Sequence, residues 1–264
     1  MNISVLIEEE RLLAELLELP EVSGIYLSAD RTEPERLKNL TERIHRVGKK
    51  CYYAFPFVFR GESLAYFEPR VSLLAESGCD GWLIRSLDEA GFVQEHHLPG
   101  ERIFDAGMYV WNRLAAEQMR LLGADVLTVP YELNAGELSA LQEPGMELII
   151  YGRIPVMISA QCMQKTALHH CRKEEGGQAL LYPLKDRKGA EFLAENRCRF
   201  CYNVIYNSVP LWLLDQRRKF PERIRLQFFT EEKGEPSRII RLLRREAEKP
   251  QGAFTRGHFA RGVE

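Results

Sequence analysis

The chain has 264 residues, 45% hydrophobic and 28% charged, and its 36 basic and 38 acidic side chains leave a formal net charge of −2. That balance excludes nucleic-acid binding by bulk charge and leaves only a local basic patch open. No apolar run approaches the roughly 20 residues that cross a bilayer, and the opening MNISVLIEEERLL lacks the basic flank and cleavage site of a secretory signal. A cytoplasmic protein with reduced thiols is therefore expected, with clustered cysteines serving a metal rather than disulfides.

In chain order, short apolar runs predict strands at Ile3–Ile7, Gly24–Ser28, Lys50–Phe55, Gly81–Arg85, Arg102–Ala106, Asp125–Val129 and Glu147–Tyr151. Helical patterns lie between them at Glu8–Glu18, Pro34–Val47, Pro69–Ser77, Ser86–Glu95, Trp111–Leu122 and Ala135–Gln142; in the second, Leu37, Leu40, Ile44 and Val47 share one face. Strands apolar on both faces, alternating with helices, call for a parallel sheet covered on both sides. A (β/α) barrel, typically about 250 residues, is the first choice, and an open doubly wound sheet is the second. No glycine-rich phosphate fingerprint follows any strand, which weakens a dinucleotide-binding reading.

The rhythm changes after Gly152, dividing the chain into βα units over 1–152 and a cysteine-rich segment over 153–264 that completes the barrel. Arg153–Arg197 reads as irregular, with one strand at Ala179–Leu184 and a turn at Asp186–Gly189. Tyr202–Asp215 is a helix or an extended apolar segment, Ile224–Thr230 the last strand, Pro236–Lys249 a basic amphipathic helix with Arg238, Arg241, Arg244 and Arg245, and Thr255–Glu264 a loop. The expected architecture is an α/β, TIM-like barrel with a C-terminal cysteine-rich cap.

Of six cysteines, Cys51 and Cys79 sit in or beside apolar strands and read as core. Cys162, Cys171, Cys198 and Cys201 follow the spacing C-x8-C-x26-C-x2-C. Two thiolates of a CxxC reach one ion, and four soft ligands suit zinc or an iron–sulfur cluster. Four ordinary buried cysteines are the plain alternative.

The residues around these thiols resemble the peptidase U32, or collagenase-like, family. Glu147, Gly152, Ser159 and Cys162 match its signature, while Tyr151 stands for the usual His and Pro155 for the first signature Cys. The runs PVMISAQC (Pro155–Cys162), LKDRKG (Leu184–Gly189) and CxxCYNxIYN (Cys198–Asn207), with the ending Thr255–Glu264, resemble the carboxy-terminal barrel of the family's long members. The resemblance spans about residues 100 to 264, and it implies a TIM-like barrel that works as part of a longer multidomain protein. It also implies two activities. Some members are peptidases, some of them collagenases. Others are similar to oxygen-independent hydroxylases that modify RNA bases or quinone precursors with a 4Fe-4S cluster and prephenate-derived oxygen. Cys162 carries over directly, and Cys171, Cys198 and Cys201 follow from spacing and the long-member motif.

A peptidase needs an activated nucleophile or a metal-bound water, and the chain has neither GxSxG nor HExxH. Its histidines are His45, His96, His97, His169, His170 and His258. His169-His170 precedes Cys171, so a Cys–His dyad can be drawn, but adjacent residues on a loop point apart, no orienting Asn or Asp is specified, and Ser159 has no evident base.

Barrel enzymes place their sites at the carboxyl ends of strands. Those ends carry Arg85, Tyr109, Trp111, Asn112, Glu132, Asn134, Tyr151 and Arg153. Glu132, Asn112 and Arg153 are the candidate catalytic residues, with Arg153 a bidentate partner for a carboxylate or phosphate. Tyr109, Tyr151 and Asn134 are candidate substrate contacts, and the aromatic run Tyr52–Phe59 is a candidate wall for a planar ring. The first-ranked expectation is a cluster-dependent enzyme hydroxylating an RNA base or small aromatic ring, with no membrane partner. The alternatives are a U32-type peptidase and a non-catalytic binding domain built on structural zinc.

Overall fold

Strands buried on both faces need cover on both faces, and a sheet closed on itself supplies the inner one. The structure, a computed structural model, describes residues 2–141, 144–171, 181–219, 221–243 and 252–262. The barrel strands are β1 (Asn2–Ile7), β2 (Val22–Ser28), β3 (Lys50–Ala54), β4 (Gly81–Ile84), β5 (Glu101–Phe104), β6 (Val126–Thr128), β7 (Met146–Gly152) and, after an excursion of five strands, β13 (Arg223–Phe228). Each pairs in parallel with the next, and β13 returns to β1, with Ile3 opposite Ile224 and Val5 opposite Leu226. The β6–β7 and β13–β1 pairings close the ring, so the open sheet is excluded.

The predicted strands agree with these within a few residues, because their apolar runs are bounded by turn residues. Helices α1 (Leu13–Leu17), α2 (Pro34–His45), α3 (Glu62–Phe67), α4 (Val71–Ala75), α5 (Leu87–Glu95), α6 (Arg113–Leu121) and α7 (Ala135–Leu141) follow successive strands. In α2, Pro34 opens the first turn and Leu37, Leu40 and Ile44 are buried, while Val47 lies beyond the helix and is exposed. The segment before β4 needs correction. A helix over Glu62–Phe67 precedes the expected one, which itself begins as a 3₁₀ turn at Glu68–Arg70.

Alternation along each strand sorts side chains inward and outward. Leu6, Tyr26, Tyr52, Ala54, Leu83, Ile103 and Val126 form a separate cluster inside the ring. Polar groups also point inward. Glu147 accepts hydrogen bonds from Ser4 and Tyr26, both at 3.0 Å, and from Thr128 at 3.2 Å. Arg225, fully buried, lies 3.3 Å from Glu147 and also pairs with Asp105. Asp105 in turn takes Arg85 at 3.1 Å. Charges of alternating sign thus climb from mid-barrel to the carboxyl ends.

The excursion after β7 forms a second, antiparallel sheet. It contains β8 (Pro155–Ser159), β9 (Leu181–Lys185), β10 (Glu191–Arg197) and β11 (Tyr202–Tyr206), in the order β8-β11-β10-β9, with α8 (Met163–Leu168) between β8 and β9. This corrects the irregular reading of Arg153–Arg197. β8 has three exposed apolar residues in a row, and β10 buries Glu195, Asn196 and Arg197, so neither shows the alternation that marks a strand in sequence. The Asp186–Gly189 turn does join β9 to β10, with the Asp186 carboxylate accepting from the Lys188 and Ala190 amides. The first two residues of the expected Ala179–Leu184 strand lie outside the described residues. Tyr202–Asp215 takes its extended alternative, as β11 and then β12 (Leu211–Trp212), which pairs antiparallel with the end of β7. After β13 comes α9 (Glu235–Leu242); Arg244 and Arg245 of the predicted basic helix lie outside the described residues. Among the described residues no helix is long and apolar enough to cross a membrane.

Arg197 seats the second sheet on the barrel. It reaches Glu8 at 2.7 Å, Asp30 at 3.1 Å and Glu195 at 2.6 Å. The Tyr202 hydroxyl donates to Asp30 at 2.6 Å, and Tyr206 stacks on Phe229. The sheet therefore lies over the carboxyl ends of β1 and β2.

Candidate functional site

Where the second sheet meets the barrel mouth they enclose a cavity of about 250 Å³. Its floor is built from strand ends. Arg85, one residue past β4, donates to the Phe55 carbonyl at 2.6 Å and lies 3.9 Å over the Phe57 ring. Asp105, one residue past β5, fixes the next turn by accepting from the Ala106 amide at 2.8 Å. Burial alone would raise the Asp105 carboxyl, but Arg225 and Arg85 outweigh it and hold it below the usual carboxylate range. Glu8, at the end of β1, is likewise lowered, with burial overcome by the charge and hydrogen bond of Arg197. The walls are largely aromatic: Phe57, Tyr109, Tyr131, Tyr206 and Phe229.

Three of the six predicted barrel-site residues reach this cavity: Glu132, Arg153 and Tyr109. Glu132 has one carboxylate oxygen sealed from water with no hydrogen-bond partner among the described residues. An unmatched buried polar atom of this kind costs about 1–3 kcal/mol. Arg153 donates through Nη1 to the carbonyls of Asn207 at 3.0 Å and Ser208 at 2.7 Å. Tyr109 takes a left-handed backbone, φ 54°, at the rim and is 57% exposed.

The other three lie elsewhere. Asn112 caps α6, accepting from the Ala115 amide at 2.9 Å. Asn134 caps α7 with bonds from Gly136 and Glu137, and Glu137 answers by accepting from the Asn134 amide. The Tyr151 hydroxyl donates to Glu231 at 2.8 Å, and its ring packs against Trp212 and Phe228. Of the run Tyr52–Phe59, only Phe57 lines the cavity; Tyr53, Phe55 and Phe59 are core.

Sequence reasoning missed Glu8, Asp105 and Gln227 as lining residues. One signal could have found the last. Arg223, Arg225 and Gln227 alternate with Ile224, Leu226 and Phe228, a period of two that puts polar groups inside the barrel.

The thiols lie apart from the cavity lining. Cys162 caps α8, its Sγ accepting from the Lys165 amide at 3.5 Å, and the Asn196 amide group lies 3.8 Å from the same sulfur. Cys198 and Cys201 frame the turn between β10 and β11, and Ser159 at the end of β8 pairs with Asn203 beside that turn. Three thiols therefore sit at one end of the second sheet, half-buried, while Cys171 is exposed. Their chemistry and placement suit a soft metal centre. As they stand, no three Cys, His, Asp or Glu side chains among the described residues form a group that could hold a metal ion. Cys51 and Cys79 are core, and both lie 3.4 Å from the Thr41 hydroxyl.

No histidine, serine or cysteine lines the cavity. His45 pairs with Asp80, His96 with Glu68, and His258 bonds the Gly262 carbonyl. The Ser159 hydroxyl accepts from the Gln161 amide.

The family model of peptidase family U32 matches residues 26–229. No curated protein matches the sequence. Among solved structures, a glycerol uptake operon antiterminator-related protein of Thermotoga maritima is 17% identical over 56% of this chain and 80% of its own, with a TM-score of 0.36. A glycerol uptake operon antiterminator regulatory protein of Listeria monocytogenes is 14% identical over 56% and 78%, at 0.38. A D-psicose 3-epimerase is 7% identical over 92% and 90%, at 0.40. Likenesses this distant carry no argument, and the barrel stands on its own strand pairings.

Proposed function

The chain belongs to peptidase family U32, and from that premise we propose that it is an enzyme that modifies, by hydroxylation, a small ring: a base of RNA or a free aromatic molecule, with the oxygen atom taken from an organic donor that is reduced as the ring is oxidised. The ring enters the cavity over the barrel, and Cys162, Cys171, Cys198 and Cys201, once drawn together, would hold a 4Fe-4S cluster, which would supply one-electron redox capacity. The cavity itself carries this reading. At about 250 Å³ it falls below the roughly 300–1,000 Å³ of drug-sized pockets, so it suits one ring rather than a peptide segment. Phe57 and Tyr109 offer aromatic surface to such a ring.

This chain's own residues bind and orient. Glu132 accepts a proton or N–H from the substrate, Arg153 donates to an oxygen, and the second sheet excludes water. Proteolysis is less well supported, since the cavity lacks a Ser, Cys or His to act as nucleophile or its base.

Purification without oxygen tests the proposal. Iron and acid-labile sulfide with absorbance at about 400 nm are expected, reduced several-fold in Cys162→Ser and Cys198→Ser. Stoichiometric zinc without sulfide would replace the cluster with a structural metal. Gelatin cleavage by a metal-free preparation would replace modification with proteolysis.

A further inference from the structure

Five charged side chains line the cavity, and three of them are matched: Glu8 by Arg197, and Asp105 by Arg85 and Arg225. Arg85 is further held by the Phe55 carbonyl and the Phe57 ring. The remaining two, Glu132 and Arg153, make no ion pair among the described residues, with each other or with any third group. One is an acceptor sealed from water. The other has one guanidinium nitrogen committed to two carbonyls, and its fork has donors left over.

We infer that the cavity is a binding site for a small zwitterion with an aromatic body, its ammonium facing Glu132 and its carboxylate facing Arg153; an aromatic α-amino acid is the simplest such molecule. A dianion would set its second charge against Glu132 with no counter-ion, and a dication would do the same against Arg153. A neutral ring could hydrogen-bond to both but would leave both charges uncompensated where water is scarce. The aromatic walls and the small volume favour a single ring. The inference rests on reading the cavity as the substrate site, and it chooses the free small molecule over the RNA base. It does not depend on the thiol cofactor.

Titration calorimetry on the full chain, with iron content measured on the same samples, tests it with three probes: phenylalanine, phenethylamine and 3-phenylpropionate. Phenylalanine is expected to bind at least tenfold tighter than either analogue. Glu132→Gln, which leaves no structural bond unmade, should weaken phenylalanine and phenethylamine tenfold or more and leave phenylpropionate unchanged. Arg153→Met should do the converse, its fold checked by thermal melting because Asn207 and Ser208 lose their donor. Phenylpropionate binding as tightly as phenylalanine, indifference to Glu132→Gln, or no binding of any probe would each overturn the inference. Binding without iron sinks the cluster and spares the zwitterion site; iron without binding does the reverse.

Discussion

Glu89 shows how one side chain sets a pH response. It is fully buried at the start of α5, accepting from the Arg85 amide at 2.6 Å and sharing a 3.2 Å contact with the Ser86 hydroxyl. Burial raises its carboxyl to about 8, against the opposing pull of the Arg85 amide and charge. A group whose folded pKa is raised contributes stability at low pH and loses it as pH rises from its unfolded value of 4.5 towards 8. Each unit of that shift is worth about 1.4 kcal/mol. Glu89→Gln keeps the neutral shape and removes the titration. Urea unfolding should find the variant close to wild type at pH 5 and more stable, by about 2 kcal/mol or more, at pH 8.5. Parallel stability profiles would show that Glu89 is not protonated in the fold. Because Glu89 holds the Arg85 amide, the same contact keeps Arg85 aimed at the cavity.

At the scale of elements, the second sheet depends on Arg197. Its guanidinium is the shared counter-ion of Glu8, Asp30 and Glu195, with Arg31 also pairing with Glu195. Burial raises Asp30, and it raises Glu195 to about 7. Removing one partner of a buried cluster costs about 3–5 kcal/mol because the others stay buried. Arg197→Met should lower the urea midpoint accordingly, and lowering the pH towards 5 should restore part of the loss by protonating Glu195. A loss independent of pH would mean that packing, not charge, seats the sheet. Gly152 is the pivot where the chain leaves β7 for this sheet. Its φ is +132°, and a Cβ there would lie 2.6 Å from the Gln227 carbonyl, so Gly152→Ala should destabilise by several kcal/mol, read as a fall in melting temperature.

For the whole molecule, closure is the governing event. β1 finds its partner β13 only after most of the chain has been placed; Ser4 bonds the Ile224 carbonyl across 220 residues of sequence. Contacts of that range fold slowly. A chain ending at residue 222 would leave β1 and β7 as open edges and strip Glu147 and Asp105 of Arg225. It should be insoluble, or elute as aggregate on gel filtration. A soluble monomer of that length would show that closure is dispensable.

The βα rhythm was legible because it is local. Apolar runs such as Gly81–Ile84 carry their own strand signal, and Pro34 with Leu37, Leu40 and Ile44 announces α2 from within one helix. Glu132, Arg153 and Tyr109 were legible as strand-end residues of a barrel, whereas Asn112 and Asn134 fit the same rule and are helix caps. A cap and a site residue look alike in sequence, since both are polar groups just past a strand. The second sheet was hidden because β8 exposes a run of apolar residues and β10 buries Glu195, Asn196 and Arg197. By itself, then, the sequence determined the order of strands and helices and the family motifs, which depend on neighbours a few positions apart. Only the tertiary structure decided that the sheet closes, that Arg197 serves three carboxylates, and that Glu132 and Arg153 share one cavity. Those facts depend on groups brought together across the chain, and no local period records them.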